Sequence, residues 1–109
     1  MKGLATLAAA ALALITLAPA SEAASFNCGG QITYTERTIC DNPDLSSADD
    51  RMSSLYFSIY NSAGPRLRPA IQRQQLRWLG RRDGCSANVN CLRAAYYRRI
   101  STLNEAGAY

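Results

Sequence analysis

The 109-residue chain has no histidine, and its only lysine is Lys2. Without an imidazole, the usual general base for a Ser or Cys nucleophile is missing, and so is the commonest metal ligand. The cysteine spacings contain no Cys-x-x-Cys pair, which leaves a zinc site little to build on. Glycine-rich phosphate loops are absent, and no pair of acids is spaced convincingly for glycoside hydrolysis. No segment alternates with the period of a strand, and residues 24–109 contain neither an internal repeat nor a low-complexity stretch. The expectation is a helical protein that is not an enzyme and carries no metal or other cofactor.

Export is written at the start of the chain. Met1-Lys2-Gly3 leads into an almost unbroken apolar run from Leu4 to Ala18, the charged start and apolar middle of a secretory signal peptide. Small residues at Ser21-Glu22-Ala23 supply a cleavage site, with Ala18-Pro19-Ala20 as a second choice, so residues 1–23 are expected to be removed and the mature chain to begin near Ala24. The run falls short of the roughly 20 residues that span a bilayer. Ser25-Phe26-Asn27 ahead of Cys28 lacks the small and aliphatic pattern of a lipoprotein signal. A periplasmic or secreted protein follows, with no membrane span in the mature chain.

Removing 23 of 109 residues leaves 86, enough for one domain with a modest core, residues 24–109. The four cysteines, Cys28, Cys40, Cys85 and Cys91, all lie in this part, and an even number in an oxidising compartment argues for two disulfides. Three pairings are possible. Cys28 with Cys40 and Cys85 with Cys91 is favoured, because both bridges then close short loops beside expected helix ends. Each bridge contributes about 2–4 kcal/mol, a large share of what a small domain has. Of 12 basic residues only Lys2 is lost, leaving eleven Arg, and of 8 acids only Glu22, leaving seven, so the net charge stays at +4. An all-Arg set suits internal ion pairs and contacts with proteins or anionic polymers. Nucleic acid is not an expected partner of an exported chain.

Helical periodicity organises the rest. Thr33-Tyr34-Thr35-Glu36 has capping-box spacing and opens a short helix to about Cys40. Asp41-Asn42-Pro43-Asp44 reads as a turn. From Leu45, apolar positions at Ala48, Met52, Leu55, Tyr56, Ile59, Tyr60 and Ala63 form one stripe. Ser46 or Ser47 is the expected cap of this helix, with Asp49 and Asp50 near its positive end. Gly64 and Pro65 end it, with Gly64 able to take a left-handed cap. A second long helix passes through Leu67, Ile71, Gln75, Trp78 and Arg82 and ends at Gly84. Ser86 to Asn90 form a loop, and Leu92 to Leu103 mark a last helix. The expected architecture is all-α: a small disulfide-stabilised domain built on an antiparallel helix pair, with a short N-terminal helix and a C-terminal helix folded back by the Cys85–Cys91 staple.

Taken together, Phe26-Asn27-Cys28, Glu36-Arg37-Thr38-Ile39-Cys40, Leu45, Asp49, Met52, Leu55 and Tyr56 form one half of a pattern. Gln75, Trp78, Leu79, Arg82, Asp83 and Cys85, then Cys91-Leu92-Arg93, Ala95-Tyr96 and Arg99-Ile100, form the other. In these elements the chain resembles the exported proteins built on the LprI-type lysozyme-inhibitor domain, over nearly all of residues 24–109. The resemblance implies a helical periplasmic or secreted domain and, in at least some members, inhibition of lysozyme.

Asp49, Gln75, Arg82 and Asp83 stand on or beside apolar stripes, so each needs a partner if buried. An internal network is expected, with Arg82 forking onto Asp49 across the two long helices. The sharper alternative makes the same cluster, with Tyr56 and Trp78, a contact surface, since Trp, Tyr and Arg dominate interface hot spots. Asp41, Asp44, Asp49 and Asp50 are either turn and cap residues or an acidic edge facing the cationic rim of a lysozyme. Two partners are therefore in view: a lysozyme or another peptidoglycan-cleaving enzyme blocked by occlusion, or anionic envelope polymers held by an Arg-rich face. A concentrated acidic or aromatic protrusion favours the first, and a continuous Arg face the second.

Overall fold

The computed structural model describes residues 25–107, so the expected signal peptide and the mature start at Ala24 lie outside the described residues. Four helices follow in order: α1 Tyr34–Asp41, α2 Pro43–Ser62, α3 Arg68–Asp83 and α4 Val89–Gly107. Among the described residues there is no strand element, and the domain is all-α and disulfide-stabilised.

Local chemistry explains each boundary. Thr33 and Glu36 form the capping box of α1: the Thr33 hydroxyl accepts from the Glu36 N–H at 3.1 Å, and Glu36 Oε1 accepts from the Thr33 N–H at 2.9 Å. Only Asn42 separates α1 from α2, because Pro43 occupies the first turn of α2, where its missing N–H costs nothing. The expected turn at 41–44 is thus a one-residue break. The expected Ser cap is also displaced: Ser46 donates instead to the Ile39 carbonyl at 2.8 Å and ties the two helices together. With α2 starting earlier, Asp44 holds the first-turn position expected of Asp49 and Asp50. Ala63, in extended conformation, ends α2, and Gly64 has no left-handed φ. The left-handed residue is Ser86, with φ 58°, inside the Cys85–Cys91 loop. The last helix begins three residues before Leu92, where the Asn88 side chain accepts from the Cys91 N–H at 2.9 Å and caps it.

Contacts between side chains give the directions of the helices. Arg68 of α3 donates to Tyr60 of α2, and Gln75 meets Met52, so these two run antiparallel. Trp78 against Ala95 and Gln75 against Arg99 make α3 antiparallel to α4 as well. Arg93 meets Asp44, Tyr96 meets Asp49, and Gly107 lies against Ile59, so α2 and α4 are parallel. The folded-back α4 is the main backbone partner of α2. Ile39, Leu45, Met52, Leu92 and Tyr96 are fully buried between the helices, each contributing about 1.5–3 kcal/mol through burial. Cys28–Cys40 ties the N-terminal segment to α1, and Cys85–Cys91 closes the α3–α4 turn, the favoured pairing. No described helix is long and apolar enough to cross a membrane.

Candidate functional site

Of the six residues singled out from the sequence, Asp49, Arg82 and Asp83 join an internal network, Trp78 packs on Tyr96, and Gln75 and Tyr56 both line a groove between α2 and α3. Asp49 is wholly buried and accepts a hydrogen bond from the Tyr96 hydroxyl at 2.6 Å and from the Ser25 N–H at 3.1 Å. Arg82 is also buried, but its fork closes on Asp83, with Nε at 3.0 Å and Nη2 at 2.8 Å from Asp83 Oδ1. The expected Arg82–Asp49 contact across the two long helices is present as an ion pair at 3.8 Å, but not as a fork: the hydrogen bonds between them run through Tyr96. The physical reason is reach. Neighbouring Asp83 offers a carboxylate without any crossing between helices, and the Tyr96 phenol enters from α4 to satisfy Asp49.

Glu36 adds a third carboxylate at 3.7 Å from Arg82 Nη2, and the Phe26 ring lies 5.7 Å from the guanidinium carbon. Burial opposes the charge on Arg82, but Tyr96 and Asp83 more than offset it and its pKa is raised. Burial, and then the adjacent Asp49 carboxylate, push the Tyr96 phenol well above its ordinary value. Trp78 is 4% exposed, packs edge to face with Tyr96 at 5.1 Å and donates from Nε1 to the Ala95 carbonyl at 3.3 Å. It is core, so the contact-surface alternative loses its Trp anchor. The acidic edge shrinks too. Asp49 is internal, and Asp44 pairs with Arg93 at 2.6 Å, a hydrogen bond that lowers the Asp44 pKa, so only Asp41 and Asp50 of the four remain exposed and outside any ion pair among the described residues.

Arg99, which the sequence offers on the stripe of the last helix and in the Arg99-Ile100 element of the family pattern, is not among the expected site residues. It is buried, donates from Nε and Nη2 to Gln75 Oε1 at 3.2 and 2.7 Å, and lies over the Trp78 ring at 5.9 Å. Its fixed partner is a neutral amide. Burial, and then the neighbouring Arg81, lower its pKa. Spacing held a signal: Arg99 recurs three and four residues from Tyr96, Ala95 and Leu103, on the buried face.

Arg81, Arg98 and Arg99 together line a groove of about 340 Å³ between α3 and α4, whose other walls are Trp78, Ala95, Thr102 and the Cys85–Cys91 bridge. No carboxylate lines it. Exposed Arg77 and Arg73 continue the basic edge from Arg81 along α3 in steps of four, about 6 Å per step. What this arrangement can do is bind anions: the exposed Arg81 and Arg98 face a concave, partly apolar space with no carboxylate in its walls, while Arg99 is held beneath them by Gln75. Among the described residues no group of His, Cys, Asp and Glu could hold a metal ion. No protein-family model, no curated protein and no solved structure matches the chain.

Proposed function

We propose that this chain is an exported, periplasmic or secreted binding protein, without catalysis of its own, that holds anionic polymers of the cell envelope in the α3/α4 arginine groove. The observation that carries this reading is the meeting of Arg81, Arg98 and Arg99 around one groove with no carboxylate in its walls. Burial first, and then the nearby Arg81 cation, disfavour the charge on Arg99 and lower its pKa, and an arriving anion would offset the second of these. A polyanion would engage Arg81 and Arg98 in the groove and Arg77 and Arg73 along the helix, and the net charge of +4 would speed its arrival. Catalysis is not proposed because the chain has no histidine and its four cysteines are paired. Purified protein should sediment with cell wall or lipopolysaccharide at low salt and be released at high salt, and the double variant Arg81→Gln/Arg98→Gln should lose most of this binding. Retention that ignores both salt and the double variant would refute the reading.

The second reading, inhibition of a lysozyme or another peptidoglycan-cleaving enzyme by occlusion, is favoured by the LprI-type pattern spread over both halves of the chain. Its contacts to a cationic rim would fall to the exposed Asp41 and Asp50. Titration against several lysozyme types should slow cell-wall lysis if this reading holds. No slowing of any type at large molar excess rules it out, and leaves polymer binding untouched.

A further inference from the structure

The other flank of α3 carries a second groove, of about 570 Å³, between α2 and α3. Its size lies in the range of about 300–1,000 Å³ usual for small-ligand sites. Helix α2 contributes Ser53, Tyr56, Phe57 and Tyr60, and α3 contributes Gln72, Gln75, Leu76 and Leu79. No charged side chain is among these lining residues.

Two features separate this groove from an ordinary seam between helices. First, Ser53 and Tyr56 are 6% and 7% exposed, yet neither hydroxyl bonds to another described residue. No fully enclosed side-chain N or O among the described residues lacks a partner, which fits these two hydroxyls keeping some contact with solvent, and both residues line the groove. Hydroxyls in a concave wall without a partner among the described residues are placed to meet a ligand that brings its own. Second, the aromatic wall is fixed in place. Tyr56 packs edge to face on Phe57 with centroids 5.0 Å apart, and Tyr60 lies 5.8 Å from Tyr56. Arg68 lies over the Tyr60 ring at 5.4 Å and is itself pinned by its Nε bond to the Tyr60 carbonyl at 3.1 Å. Phe57 nevertheless stays 53% exposed and Leu76 58%, so the rim presents apolar surface to solvent.

We propose that this groove is a binding site for an uncharged saccharide, whose apolar ring face stacks on Phe57 and Tyr60 while its hydroxyls bond to Ser53, Tyr56 and the Gln72 amide. The class follows from the chemistry of the walls. Aromatic rings beside hydroxyls and an amide match a ligand that is apolar on one side and hydroxylated at its edge; the lining residues carry no charge, and the nearest cations, Arg68 and Arg99, are already engaged by Tyr60 and Gln75. A purely apolar protein segment would instead bury the Ser53 and Tyr56 hydroxyls without partners, at a desolvation penalty. The proposal does not rest on the α3/α4 reading, because the two grooves share no lining residue.

Calorimetric titration of the exported protein with two neutral probes, chitotriose and cellotriose, tests it. The titration is run in about 1 M salt, where the Debye length is about 3 Å and polyanion binding is suppressed. Saturable binding of either trisaccharide is expected. Tyr56→Phe should weaken it by about threefold to tenfold through the loss of one hydrogen bond. Phe57→Ala, which removes a largely exposed ring and so spares the fold, should weaken it further, and Arg81→Gln/Arg98→Gln should leave it unchanged. The proposal fails if neither probe binds, if binding is indifferent to Tyr56→Phe and Phe57→Ala, or if the groove proves to be occupied by a second copy of the chain, seen as a dimer that Phe57→Ala dissociates.

Discussion

Arg82 and Arg99 are both buried cations on facing helices, and their surroundings differ in kind. Around Arg82 stand Asp83, Asp49 and Glu36, with the Tyr96 phenol joining Asp49 to the guanidinium. Around Arg99 stand a neutral amide, an indole face and a second arginine. Opposite pKa directions report the difference: Arg82 is raised and Arg99 lowered. A compensated buried charge holds helices in register, whereas an uncompensated one beside a groove is available to a ligand. The Arg82 network therefore reads as structure, whereas Arg99 stands beside the groove proposed for anions.

The sharpest way to break this comparison is to remove the carboxylate at its centre. Asp49→Ala leaves Arg82 and the Tyr96 phenol without their buried acceptor and should cost about 3–5 kcal/mol in urea unfolding. A loss under about 1 kcal/mol would dissolve the distinction between the two ends. Next comes a matched pair of changes, Arg82→Met and Arg99→Met. The first leaves buried Asp49 a charge without its cation and should cost about 3 kcal/mol, while the second removes a cation with no anion, unpairs only the neutral Gln75 amide and should cost less, about 1 kcal/mol. Equal losses would mean that the two arginines do the same work.

Tyr96→Phe is smaller, about 1–3 kcal/mol, the cost of a buried acceptor that loses its donor. It also has a pH signature. The phenol pKa is raised in the fold, so the folded state holds its proton more tightly than the unfolded chain. That contribution is fully present below the ordinary tyrosine pKa of about 10 and declines as pH rises above it. Alkaline melts should show the parent losing stability above about pH 10 more steeply than Tyr96→Phe. The smallest effect is expected at Asp44, whose pair with Arg93 is exposed to solvent. Asp44→Ala should leave the neutral-pH midpoint unchanged. Because the Asp44 pKa is depressed, any contribution is present above the ordinary Asp pKa and disappears only as pH falls below it.

Much of the fold was legible in the residues because its signals are local. The Thr33–Glu36 box, the stripe from Leu45 to Tyr60 and the two short cysteine loops each involve neighbours in the chain, and each appears as expected. Boundaries were less legible where one residue serves two local roles. Pro43 signals a turn and equally a helix first turn, and the second role wins because Asn42 alone suffices to redirect the chain. The candidate site was legible only in part. Stripes left Asp49, Gln75, Trp78 and Arg82 open between an internal network and a contact surface; the structure buries all four and decides the partner of each. Arg99 escaped notice because an arginine on an apolar stripe reads equally well as one whose head reaches out to solvent.

The amino-acid sequence by itself determined the helical class, the expectation of two disulfides and the bias toward arginine, since each follows from spacing or composition, while the pairing it only favoured is decided by the structure. Only the tertiary structure decided that α2 and α4 run parallel, that Tyr96 rather than Arg82 bonds to Asp49, and that Arg81, Arg98 and Arg99 meet in one groove. Those outcomes depend on which helical faces meet across the core, and contact between residues 14 to 49 positions apart leaves no periodic trace in the chain.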